Sequence, residues 1–174
     1  LDCEAIPSRA AGDAQALVGE ICRRTEACLQ RNQLSMKEIT HIGVGIPGTA
    51  DYQNGIVCYS SNLFGENVPL GDYFEQHWAR RVTVLQDSWA AAWAEYLFGQ
   101  QRAYSSMLCL TIGTGIGCGV ILNGHVYGGP MNTAGEIGHT PVVPNGRPCS
   151  CGRRGCLETY ASGTAILEQA LERF

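Results

Sequence analysis

The stretch from His139 to Glu158, HTPVVPNGRPCSCGRRGCLE, restricts what this chain can become more than any other. It supplies one imidazole and three thiols, His139, Cys149, Cys151 and Cys156, within a run whose prolines and glycines forbid a continuous helix or strand. Four such groups form a closed set for a structural Zn²⁺, which takes soft-to-borderline ligands in a tetrahedron, and Gly146, Gly152 and Gly155 permit the tight reversals. Three thiolates and a neutral imidazole leave the site at net minus one, so Arg147, Arg153 and Arg154 lie where a compensating positive field is useful. A disulfide is the competing reading. Cys149 and Cys151 are too close for a comfortable bridge to each other, nothing else in the chain looks secreted, and zinc is the reading these residues favour.

Two carboxylates bracket the ligands: Glu136 lies three residues before His139, and Glu158 two residues after Cys156. The metal needs neither. Fixing the loop fixes both acids, so the zinc can act as a brace that aims hydrogen-bond acceptors at a polyhydroxylated ligand rather than as a catalyst. Ordinary surface glutamates are the plain alternative.

Hydrophobic residues make up 45% of the chain and charged residues 16%, which suits a globular α/β protein. A formal charge of −4 argues against a nucleic-acid surface, which needs a concentrated basic stripe. No apolar run approaches a membrane span, and LDCEAIPSRA lacks the basic start and apolar body of a signal peptide. Six cysteines outside the loop, at 3, 22, 28, 58, 109 and 118, have no framework spacing and read as reduced thiols in a cytoplasm.

Residues 1–8 read as the tail of a strand. From Asp13 to Arg31, Leu17, Ile21 and Cys28 recur at helical spacing among charged residues. Ser35 and Glu38 have capping-box spacing, and THIGVGI alternates as a strand running into Pro47-Gly48, where Gly45 and Gly48 would let the backbone approach a ligand. Asp51 to Ser61 reads as a hairpin around Asn54-Gly55. Val82 to Leu85 form another strand, and SWAAAWAEYLFG an alanine-rich helix ending at Gly99. Asp87, at their junction, is equally readable as an N-cap or as a catalytic carboxylate.

TIGTGIG is the second glycine-rich centre. A dinucleotide fingerprint would need glycine at 113, 115 and 118, but 118 is cysteine and a strand follows; the Walker pattern fails for want of its lysine. Strand, glycine turn and strand remain, with Asn123-Gly124 opening a two-residue hairpin. After the cysteine loop, TYASGTAILEQALERF starts a helix.

AGEIGHTPVV followed by CSCGRRGCLETYASG resembles the signature of the ROK family of bacterial-type sugar kinases, hexosamine kinases and sugar-responsive repressors. The family motif C-x-C-G-x-x-G-C-x-E is met at every fixed position from Cys149 to Glu158, and the similarity runs in order through GVGIPG, SNL, the Asp87 segment and TIGTGIG. It implies an α/β fold of the actin-like ATPase (ribonuclease H-like) type, with two lobes around a sugar/ATP cleft and a zinc-binding loop. Residues 1–104 would be an N-terminal lobe without its first strands and first phosphate loop, and 105–174 the start of a C-terminal lobe. Both lobes are then incomplete, and the chain is expected to be an excerpt of a longer one.

The resemblance also implies roles. Asp87 aligns with the general base of an ATP-dependent sugar kinase, and Gly48, Asn62, Gln86, Asp87, Glu136, His139 and Glu158 align with sugar-binding positions. Gly113, Thr114, Gly115 and Gly117 match the second phosphate loop, for ATP with Mg²⁺, and His139, Cys149, Cys151 and Cys156 the zinc ligands. The implied partners are a small-molecule sugar and ATP in a cytoplasmic homodimer, with no membrane and no direct nucleic-acid contact by this segment. A sugar-sensing transcriptional repressor is the alternative. Two positions depart from the family segment, which has asparagine where this chain has Gln86 and Trp89. Glutamine keeps the amide but moves it by one methylene, which alters any hydrogen bond to a hydroxyl.

Overall fold

The computed structural model describes residues 3–5, 13–60, 65–100 and 102–173, and the chain divides into two compact units, Leu1–Asp87 and Ser88–Phe174. This division precedes the lobe boundary expected after residue 104, because the helix that follows Asp87 packs on the strands of the second unit. Residues 3–5 carry no regular structure, and the rest of the expected N-terminal strand lies outside the described residues.

In the first unit, α1 (Ala14–Arg31) starts where the Asp13 carboxylate accepts the Ala16 N–H at 2.8 Å. Its buried positions are Leu17, Val18 and Cys22, the last one turn beyond Val18 on the same face. A short 3₁₀ turn follows at Met36–Glu38, where the Ser35 N–H donates to Glu38 Oε2 at 2.8 Å as the capping-box spacing predicts.

Strand β1 (Ile42–Ile46) pairs in parallel with β5 (Val82–Gln86), bringing Val44 beside Val84 and Ile46 beside Gln86. Between them come β2 (Thr49–Asp51), β3 (Ile56–Ser60) and β4 (Gly65–Val68), an antiparallel sheet in sequence order, and α2 (Leu70–Trp78). The β2–β3 turn is longer than the two-residue loop that Asn54-Gly55 suggests. Asp51 Oδ1 accepts the Gln53 and Asn54 N–H groups, and only Gly55 adopts a positive φ, of 67°. The core gathers Val18, Cys22, Ile46, Ala50, Val57, Leu70, Phe74, Trp78, Val82 and Val84. Phe74 and Trp78, four residues apart on α2, stack with ring centroids 5.2 Å apart.

In the second unit, α3 (Asp87–Ala94) loosens at its end into a π-type turn, Glu95–Gly99, where the Gln100 N–H donates to the Glu95 carbonyl five residues back. It lies on an antiparallel meander of β6 (Met107–Ile112), β7 (Ile116–Leu122) and β8 (His125–Val126). Ala92, Tyr96 and Ile121 form the core of that contact. Gly119 makes the approach possible, since a Cβ there would lie 2.2 Å from Ala92 Cβ. Asn123 and Gly124, both at positive φ, form the two-residue hairpin that their sequence predicts. On β6 the alternate residues Leu108, Leu110 and Ile112 face outward, at 69%, 53% and 65% exposure. The expected C-terminal helix is two pieces, α4 (Glu158–Ala161) and α5 (Gly163–Leu171). Ser162 is extended between them, and its side chain accepts the Ala165 N–H as the N-cap of α5.

Candidate functional site

The loop between His139 and Glu158 folds back on itself through backbone pairs rather than through a regular element. Val142 N–H donates to the Gly155 carbonyl at 2.7 Å, Cys149 N–H to Arg153 at 2.9 Å and Gly155 N–H to Arg147 at 2.8 Å. Gly155 has φ 77°, and a Cβ on it would lie 1.8 Å from the Val143 carbonyl oxygen, so the reversal admits no side chain there. The Tyr160 hydroxyl accepts the Arg147 N–H at 2.8 Å, which ties the loop to α4.

This folding gathers His139, Cys149, Cys151 and Cys156, whose ligating atoms all lie within 4.8 Å of one another. His139 Nδ1 is 3.5 Å from Cys149 Sγ, and Cys151 Sγ is 3.7 Å from Cys156 Sγ. A tetrahedron with metal–sulfur bonds of about 2.3 Å has edges of about 3.8 Å, so the spacing already matches a shared cation. The set can hold a metal ion.

Without a cation the thiols conflict. Burial, followed by the crowding of Cys149 and Cys151, pushes the Cys156 thiol up to about 12. Desolvation also acts to raise Cys151, but the Arg153 backbone N–H, the neighbouring thiols and the Arg153 charge together bring it below its ordinary value. A coordinated cation reverses this logic by deprotonating the thiols outright. Of the three arginines expected to offset the thiolate charge, Arg153 acts on Cys151. Arg147 turns away, its guanidinium 5.5 Å over the Tyr160 ring and 3.5 Å from Glu172.

Both bracketing glutamates lie at the cluster. Glu136 Oε2 is 4.0 Å from His139 Nε2, and Glu158 Oε1 is 3.8 Å from His139 Nδ1. The Glu136–His139 segment is seated on β7: a Cβ at Gly138 would lie 2.1 Å from the Ile116 carbonyl oxygen, and one at Gly135 2.0 Å from that of Cys118. The Trp89 indole, wholly buried, donates from Nε1 to the Ala134 carbonyl at 3.1 Å and so fixes the chain just before Glu136.

The glycine turn between β6 and β7 divides by position. Gly113 and Thr114 are exposed at the tip, while Gly115 lies against Glu158, whose Oε2 would be 2.2 Å from a Cβ there. Gly117 is inside β7, where a Cβ would meet Thr111 Oγ1 at 2.7 Å and Ser88 Cβ at 2.9 Å, so packing against α3 accounts for that glycine. The tip is clamped from α4 and α5. Ile116 N–H donates to Glu158 Oε2 at 3.1 Å, and Gly163 N–H donates to the Gly113 carbonyl at 2.8 Å.

In the first unit, Asp87 and Gln86 lie at the carboxyl end of β5, and Gly48 just beyond the carboxyl end of the adjacent β1. That is where open parallel sheets place their sites. Gly48 has φ 130°, and a Cβ on it would lie 2.2 Å from the Tyr59 carbonyl oxygen, so its close approach is to the chain's own β3. Asn62 lies outside the described residues. The contacts that sequence reasoning misses are Trp89 to Ala134, Tyr160 to Arg147 and Gly163 to Gly113. Among them only Ser162-Gly163, an N-cap type residue before a helix, leaves a local signal.

A sequence model described as the ROK family matches residues 13–173. The chain is 38% identical to the glucokinase of Streptomyces coelicolor over 136 residues, 78% of this chain and 43% of that protein. It is also 38% identical to the DNA-binding transcriptional repressor Mlc of Escherichia coli over 161 residues, 91% of this chain and 39% of that protein. Among solved structures, a ROK family glucokinase from Streptomyces griseus in complex with glucose and AMPPNP matches with a TM-score of 0.77 at 34% identity, over 92% of this chain and 50% of that one. The chain therefore spans half or less of the length of these relatives.

Proposed function

Because this chain belongs to the ROK family, we propose that the protein transfers the terminal phosphoryl group of ATP to a hydroxyl of a hexose or an N-acetylhexosamine. Its fold is the actin-like ATPase fold of the family's solved structures, of which the chain spans part. Asp87 is the general base, and Gly48, Asn62, Gln86, Glu136, His139 and Glu158 line the sugar. Gly113, Thr114, Gly115 and Gly117 offer backbone to the phosphates, and Mg²⁺ accompanies the nucleotide. In a loose phosphoryl-transfer transition state the hydroxyl proton leaves late, so a carboxylate of ordinary basicity suffices and its orientation matters more.

His139, Cys149, Cys151 and Cys156 would hold Zn²⁺, which when bound supplies rigidity rather than chemistry. With Nδ1 turned to the thiols, the His139 proton belongs on Nε2, which donates to a sugar oxygen while Glu136 accepts from a sugar hydroxyl. The same ROK reading implies a homodimer.

The observation that carries the proposal is the convergence, within the second unit, of the cysteine–histidine cluster and Glu158 on an exposed glycine turn. Packing accounts for Gly115 and Gly117 of that turn, and the exposed Gly113 and Thr114 are the part left for a phosphate group. The repressor reading is supported by the Mlc match, at the same identity as the glucokinase and over more of this chain.

Sugar-dependent ADP release across a panel of hexoses separates the two. We expect turnover on at least one sugar, lowered roughly 10²- to 10⁴-fold by Asp87→Asn. The absence of sugar-dependent ADP from the full protein, with no effect of Asp87→Asn, would remove the kinase reading. Sugar-sensitive DNA binding would establish the other.

A further inference from the structure

The Glu158 carboxylate faces two ways. Oε1 lies 3.8 Å from both His139 Nδ1 and Cys149 Sγ, and Oε2 accepts the Ile116 N–H at 3.1 Å, at the base of the glycine turn. The side chain is only 21% exposed, and it fills the space that a Cβ on Gly115 would take. Its backbone is equally committed, since Glu158 opens α4 two residues after the ligand Cys156, and the Cys156 carbonyl accepts both the Thr159 N–H and its hydroxyl. Five residues further on, Gly163 donates to the Gly113 carbonyl. Both clamps on the turn therefore come from the segment that begins at the last thiol of the cluster.

We propose that Glu158 is a positioning residue that makes the order of the Gly113–Gly115 turn depend on the state of the cysteine–histidine cluster. A cation fixes Cys149, Cys156 and His139, these fix the Glu158 carboxylate, and the carboxylate fixes the Ile116 amide. An empty cluster leaves three thiols and an imidazole free to separate, and the acceptor for Ile116 moves with them. The glycine turn is thus ordered from the cysteine–histidine cluster through one carboxylate. The inference rests on the zinc reading of the cluster but not on the phosphorylation reaction.

Amide hydrogen exchange tests it without reference to activity. In the zinc-loaded protein, the Ile116 amide should exchange slowly. Chelating the metal should accelerate it roughly tenfold, the order expected for losing one hydrogen bond, while the Tyr127 amide, which donates to the Val120 carbonyl on the β8 side of the sheet, stays protected. Glu158→Ala should give the same acceleration with zinc still bound by elemental analysis. Glu158→Gln, which keeps an acceptor oxygen, should restore most of the protection. Unchanged Ile116 exchange on chelation overturns the coupling, and unchanged exchange in zinc-loaded Glu158→Ala overturns the role of the carboxylate. If Glu158→Ala does not fold, the wild-type comparison and Glu158→Gln decide: Gln exchanging as slowly as wild type and chelation accelerating Ile116 support the proposal, and any other pair of results ends it.

Discussion

The Trp89 indole is wholly buried and donates to the Ala134 carbonyl, two residues before Glu136, while its ring edge occupies the space that a Cβ on Gly128 would need, 2.4 Å away. Trp89→Phe should therefore keep most of the packing and lose the hydrogen bond. We expect a loss of about 1 kcal/mol in denaturant unfolding, and Trp89→Ala should cost about 3–5 kcal/mol by adding a cavity. An unchanged stability in Trp89→Phe would show that the bond contributes nothing. At this scale the gathering of the cysteine–histidine cluster was legible, because Cys149, Cys151 and Cys156 lie close together in one loop. Trp89 was legible only as a departure from a family pattern, since its acceptor lies 45 residues away and nothing near it in the chain announces the contact. Glu158 and Ile116, 42 residues apart, were hidden for the same reason.

Among the elements, the β2–β3 hairpin shows how a side chain overrides a turn signal. Asn54-Gly55 reads as a two-residue turn, but the Asp51 carboxylate captures the Gln53 and Asn54 amides and the Asn54 side chain, and the loop lengthens around it. The Asn54 side-chain amide, aided by the two backbone N–H groups, holds the Asp51 carboxyl below its ordinary value of 3.8. A carboxyl depressed in the folded state contributes stability above its unfolded value and loses it as pH falls through the folded one. Stability should thus decline below about pH 4 more steeply in the wild type than in Asp51→Asn, compared by urea unfolding across that range. Parallel profiles would disprove a role for this carboxylate. Helix α1, the capping box at Ser35 and the Asn123-Gly124 hairpin were legible because their signals are local and uncontested. The break at Ser162 was not read, because a serine accepting Ala165 N–H starts a second helix inside what looks like one apolar periodic run.

For the molecule as a whole, the two units differ in what holds them. The first has a core of packed apolar side chains from α1, α2, β1 and β5. The second has a smaller core around Ala92, Tyr96 and Ile121 and a long irregular loop closed on the cysteine–histidine cluster. Removing zinc should therefore act unevenly. Mass action puts the stabilisation at about 4 kcal/mol for metal at a thousandfold excess over its Kd, and we expect the amides that close the loop, Val142 and Gly155, to lose protection on chelation while those of β1 and β5 keep theirs. Uniform loss would mean that the metal supports the whole chain. The division at Asp87 was not legible, because the chain passes from β5 into α3 without a loop, and only the glycines of β7 that admit α3 place that helix with the later strands.

Strand β6 lies at the margin of its sheet and turns Leu108, Leu110 and Ile112 toward water. A ribbon edge with oily side chains beside it is a template for any other extended backbone. Handled as this stretch alone, the polypeptide should be prone to sticking to itself at high concentration, and shielding that strand should raise its solubility.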